Sequence, residues 1–147
     1  MSTSEENKQL VLSAYRAFGT QDRDKIASYF APDAEWVAPE RNGTAVALGT
    51  PSGFAGRDAI VRNLTEDVGG RLFTGSKVEL LAVIADEENV VVEQLFQGTV
   101  CNGRPYRMIQ CFIFVVRDGL IRQIRSFFDT ALGFELIFGE ERPRQLV

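Results

Sequence analysis

The stretch VVVEQLFQGTVCNGRPYRMIQCFIFVVRDGLIRQIRSFFDT, residues 90–130, decides the fold. It holds three long runs rich in β-branched and aromatic residues, separated by Asn102-Gly103 and Asp118-Gly119. Asn-Gly and Asp-Gly between such runs are strong hairpin signals. With Lys77–Ala85 before Asp86-Glu87-Glu88-Asn89, the pattern predicts four antiparallel strands: Lys77–Ala85, Val90–Cys101, Tyr106–Arg117 and Leu120–Asp129.

The first part of the chain is helical in pattern. Leu10, Val11, Ala14, Tyr15 and Phe18 form one apolar stripe, and Thr3 and Glu6 have capping-box spacing. A second helix is expected over Asp22–Phe30, stopped by Pro32, and a short strand over Ala34–Val37. Residues 39–56, rich in Gly, Pro, Thr and Ser, read as a long loop of the kind that forms pocket mouths. A third helix is expected over Arg57–Val68, stopped by Gly69-Gly70, and a last one over Thr130–Phe138 with Asp129 or Thr130 as cap. The expected class is α+β: a strongly curved antiparallel sheet with three helices on its concave side and a short C-terminal helix.

The chain has 147 residues, which predicts one domain over 1–147. Its net charge of −4 argues against binding nucleic acid or an anionic membrane through the overall field. There is no His, which excludes imidazole catalysis and His-containing metal sites. Two Cys without a Cys-x-x-Cys fit a reducing compartment, and the polar, acidic start lacks an apolar leader. The expectation is a cytoplasmic protein without metal or cofactor.

Register decides which residues line the concave side. A two-residue Asn102-Gly103 turn sets Cys101 opposite Arg104, Leu95 opposite Gln110 and Glu93 opposite Phe112. The second hairpin allows two readings. A two-residue turn puts Gln110 opposite Phe127, whereas a turn with Gly119 at a left-handed bulge puts Gln110 opposite Ser126. With the bulged choice, Met108, Gln110, Phe112 and Phe114 share the inner face with Ile124, Ser126 and Phe128. Glu93, Leu95 and Gln97 join them, while Val92, Gln94, Phe96, Ile109, Cys111 and Phe127 fall on the outer face. That apolar outer face predicts a homodimer.

YRAFGTQDRDKIASYFAPDAEW (15–36), GRDAI (56–60) and NGRPYRMIQCFIFVVRDGLIRQIRSFFDT (102–130) together resemble the SnoaL-like branch of the nuclear transport factor 2-like superfamily. Ketosteroid isomerase, limonene epoxide hydrolase and polyketide cyclases belong to it. The resemblance implies a conical α+β barrel, usually dimeric, around an apolar cavity. The isomerase's general base would fall at Ala38 and its oxyanion Tyr at Ala14, one step from Tyr15. Its oxyanion Asp would fall at Gln110, whose amide can donate. One acid of the epoxide hydrolase would fall at Ser126, and the other near Glu93 or Leu95. Both catalytic sets are therefore incomplete. Asp129 matches a family ending best read as a helix cap.

Glu93 and Gln110 are the catalytic candidates. Set among apolar residues, Glu93 either lines the cavity as an acid or base of raised pKa, or faces solvent and a neighbouring Arg. Tyr15, Trp36, Leu95, Gln97 and Met108 are candidate substrate contacts, as are Phe112, Phe114, Ile124, Ser126 and Phe128. Three functions stand open: a cofactor-independent isomerase, cyclase, dehydratase or hydrolase acting on a largely apolar molecule; a ligand-binding module without catalysis; and a protein-interaction dimer.

Overall fold

The computed structural model describes residues 3–139 and 145–146. It contains a six-stranded sheet covered by helices on one side. The order along the chain is α1 (Ser4–Thr20), α2 (Arg23–Ala27), β1 (Phe30–Val37), α3 (Gly43–Leu48), β2 (Phe54–Ala55) and α4 (Arg57–Arg62). A π-helical segment, Asn63–Leu72, leads into β3 (Phe73–Asp86), β4 (Asn89–Val100), β5 (Pro105–Arg117), β6 (Leu120–Phe127) and α5 (Thr130–Phe138).

The sheet order is β2-β1-β6-β5-β4-β3. Four long strands form the expected meander, and β1 adds to β6 in parallel, so the sheet is mixed. The fold is a conical α+β fold with a curved, open sheet. Two apolar clusters hold it. Val11, Ala14, Ile26, Phe30, Ile60 and Ile121 join the first helices to the sheet. Phe73, Phe96, Val100, Tyr106, Met108 and Ile137 pack around α5. Each large side chain buried this way contributes about 1.5–3 kcal/mol relative to exposure.

Local caps form where the side chains allow them. Thr3 accepts the Glu6 amide at 3.0 Å, and Asp129 accepts the Leu132 amide at 2.9 Å. Elsewhere the boundaries move. α2 ends at Ala27, and Pro32 lies within β1. Pairing with β6 skips from Phe30 to Glu35, and this irregularity accommodates a residue with no N–H to give. Inside 39–56, Asn42 caps α3 through Ala45 N at 3.0 Å, and Gly49 closes it at φ 66°. Gly69-Gly70 does not stop the third helix. The α-helical part ends at Arg62, and π turns run from Asn63 through both glycines to Leu72, before β3.

The hairpin turns reverse the expectation and change what faces inward. Val100 is opposite Arg104, whose carbonyl accepts the Val100 amide at 2.8 Å. The turn therefore holds three residues, with Gly103 at φ 90°. This shifts β4 by one residue against β5, so Gln94 pairs with Gln110, Glu93 with Cys111 and Leu95 with Ile109. Asp118-Gly119 is instead the two-residue turn, with φ of 53° and 73°, and the bulge lies further up, between Val115 and Val116. Phe112 faces Ser126 and Phe114 faces Ile124, so the inner face of β5 and β6 holds the expected residues in a register displaced by two.

Candidate functional site

A cavity of about 850 Å³ lies between the helices and the sheet. α1 contributes Leu12, Tyr15, Arg16 and Gly19, a stripe at i, i+3, i+4 and i+7. The sheet contributes Leu80, Gln94, Phe96, Gln110, Phe112, Phe114, Ile124 and Ser126. The π-helical segment adds Asn63, Leu64 and Val68, and the 39–56 segment adds Thr44, Ala45, Pro51 and Ser52.

Of the expected contacts, Tyr15, Trp36, Phe112, Phe114, Ile124, Ser126 and Phe128 line this space, as does Gln110. Glu93, Leu95 and Gln97 do not. The three-residue turn puts all three on the outer face, Glu93 and Gln97 exposed and Leu95 buried beside Ile109. Met108 faces inward but is packed in the cluster around α5, off the cavity wall. Ala14 is fully buried in the core, and the neighbouring Tyr15 is the residue that reaches the cavity.

The polar groups form a directed chain. Tyr15 Oη donates to Gln94 Oε1 at 2.7 Å, and Gln94 Nε2 donates to Gln110 Oε1 at 3.0 Å. Among the described residues the Gln110 amide nitrogen has no acceptor, so the chain ends in an available donor. Burial holds the Tyr15 phenol well above its ordinary value of 10.0, with a smaller contribution from Cys111. At neutral pH Tyr15 is therefore a neutral donor. Tyr106, whose hydroxyl reaches Met108 Sδ at 3.4 Å, is pushed up by burial to about 12.

A second pair fixes the aromatic wall. Trp36 Nε1 donates to Ser126 Oγ at 3.1 Å, and Ser126 Oγ donates to the Val37 carbonyl at 3.2 Å. Trp36 meets Phe112 and Phe54 edge-on, with centroids 5.9 and 6.4 Å apart. Among the described residues, no Asp or Glu lines the cavity, and the only charge on its wall is the exposed Arg16. Nor do three His, Cys, Asp or Glu side chains cluster there as a metal site would require.

Gln94 and Asn63 were not among the sequence candidates. Each carried a signal: Gln94 adjoins Glu93 in an apolar run, so one of the two must face inward. Asn63 falls three residues after Ile60, on the buried stripe of its helix.

Among curated proteins none matches the chain. Solved structures do. An NTF2-like protein of unknown function from Burkholderia pseudomallei K96243 is 23% identical, with a TM-score of 0.77, 90% of this chain and 97% of that one covered. TerC, co-crystallised with polyporic acid, is 26% identical, with a TM-score of 0.74 and coverage of 88% and 96%. A protein with a ketosteroid isomerase-like fold from Catenulispora acidiphila DSM 44928, in complex with trimethylamine, is 14% identical, with a TM-score of 0.70 and coverage of 91% and 97%. Residues 11–124 match the SnoaL-like domain. That match spans well over half of the sequence, and the chain belongs to the SnoaL-like domain family.

Proposed function

We propose that this protein binds a largely apolar, carbonyl-bearing small molecule in the cone, with Gln110 donating to the carbonyl oxygen. The observation that carries this reading is the directed chain Tyr15–Gln94–Gln110, which ends in an amide donor on an aromatic wall. Gln110 is partly buried and lines the open cavity, so its amide is accessible to a ligand oxygen, and one such neutral hydrogen bond contributes about 0.5–1.5 kcal/mol. The likeness to TerC, co-crystallised with polyporic acid, supports a small-molecule occupant.

Binding without catalysis is favoured over proton transfer. The wall described here offers no carboxylate, and Tyr15 stays protonated at neutral pH, so a general base is missing from it. An open cavity of this size also disfavours a pure protein-interaction role, which needs a filled cone. A second copy of the chain is proposed to cover the outer sheet face, where Ile109 and Phe127 are 53% and 52% exposed.

The test is a titration of wild-type protein with anthraquinone and with anthracene, followed by the fluorescence of Trp36, the sole Trp of the sequence. Anthraquinone is expected to bind about tenfold tighter, the effect of one neutral hydrogen bond. Equal affinity, or no binding of either, contradicts the reading.

A further inference from the structure

The helical wall carries a polar group that the relay does not use. Asn63 begins the π-helical segment and is only 6% exposed. Its backbone N–H is held by the Ala59 and Ile60 carbonyls. Its side-chain amide has no hydrogen-bond partner among the described residues. No fully enclosed side-chain nitrogen or oxygen in those residues lacks a partner, so the Asn63 amide is reached through open space. The open space it lines is the cavity.

The other buried polar side chains have partners. Asn7 reaches the Glu87 carbonyl, Asn42 the Pro39 carbonyl and the Ala45 amide, Asp67 the Arg71 guanidinium, and Gln94 both Tyr15 and Gln110. Asn63 departs from that pattern. An apolar residue is the commoner occupant of a buried helical stripe, whereas this amide meets the cavity and no protein partner among the described residues. Ligand pockets carry a few such polar groups on an otherwise apolar wall, placed to fix the orientation of what binds.

We infer that Asn63 is a specificity-determining residue that recognises a hydroxyl on the ligand. A hydroxyl both donates and accepts, and so does the free amide of Asn63. Gln110 lies on the sheet side and Asn63 on the helical side. The ligand is then an apolar ring system with a carbonyl at one edge and a hydroxyl at another. This rests on the carbonyl-binding reading above and adds the second polar group.

The experiment compares methylanthraquinone with hydroxymethylanthraquinone, which differ by one hydroxyl, in wild type, Asn63→Leu and Asn63→Ala. Trp36 fluorescence reports affinity, and thermal melting of the unliganded proteins reports stability. Wild type is expected to bind the hydroxylated probe about tenfold tighter, and both variants are expected to lose that preference. At least one variant should melt at or above the wild-type temperature, because the Asn63 side chain makes no hydrogen bond to the described residues that the change could remove. Equal binding of the two probes by wild type, or a preference that survives in the variants, overturns the inference and leaves the carbonyl reading intact. Lower melting temperatures in both variants overturn it too, since the amide then supports the fold. Failure of wild type to bind either probe removes the carbonyl reading and this inference together.

Discussion

Gln94 lies directly across the β4–β5 ladder from Gln110, and its amide nitrogen donates to Gln110 Oε1 at 3.0 Å while its own Oε1 receives the Tyr15 hydroxyl. One side chain thus fixes both the helix donor and the sheet donor. Removing one member strands its neighbours. Gln94→Leu leaves the Tyr15 hydroxyl without its acceptor, and a loss of about 1–3 kcal/mol is expected in urea unfolding. Adding Tyr15→Phe removes the stranded donor as well. The double variant should recover part of that loss, and strict additivity of the two changes would mean the pair is not coupled.

Alkaline pH probes the same burial. In an unfolded chain both phenols ionise near pH 10. In the folded protein Tyr106 is held up to about 12 and Tyr15 is raised as well, so both keep their protons longer. Above about pH 10 the unfolded state therefore binds fewer protons than the folded one, and stability falls as pH rises. Below that pH the contribution is fully present and flat. Each buried phenol steepens the fall by at most about 1.4 kcal/mol per pH unit. Urea midpoints measured between pH 10 and 12 should drop less steeply in Tyr106→Phe than in wild type. Identical slopes would mean that the ring is not buried in solution.

The outer face supplies a separate expectation. Phe127 lies opposite Cys111, and Ile109 two residues along β5 on the same face, with both apolar side chains about half exposed. If a second copy covers them, Ile109→Glu and Phe127→Glu should each shift the protein from dimer to monomer in sedimentation. Melting temperature should become independent of protein concentration in those variants. A wild type that is monomeric at micromolar concentration would rule this out.

The strand runs, the first helix and its Thr3 cap, the last helix and its Asp129 cap were legible because periodicity and capping act over a few residues. The turns were legible as places but not as types. Asn102-Gly103 suits a two-residue turn by composition, yet the chain uses Cys101 as well and leaves Gly103 alone in the left-handed region. A change of one residue in loop length inverts a strand, which is why Gln94 and Phe96 replaced Glu93, Leu95 and Gln97 on the wall. On β6 the displaced bulge kept the parity, so Ile124 and Ser126 stayed inward. The short α3 is not legible because six residues carry too little periodicity, and its cap, Asn42, looks like an ordinary loop residue.

The register of β4 underlies the whole site, and neighbouring substitutions measure it directly. Anthraquinone affinity, read from Trp36 fluorescence, should be unchanged within about twofold in Glu93→Gln, because that side chain points away from the cavity. In Gln94→Leu, with the protein still folded, it should weaken about tenfold, because Gln110 loses the partner that orients its amide. A loss of binding in Glu93→Gln together with normal binding in Gln94→Leu would contradict the account, since it would place the carboxylate inside the cone and the amide outside.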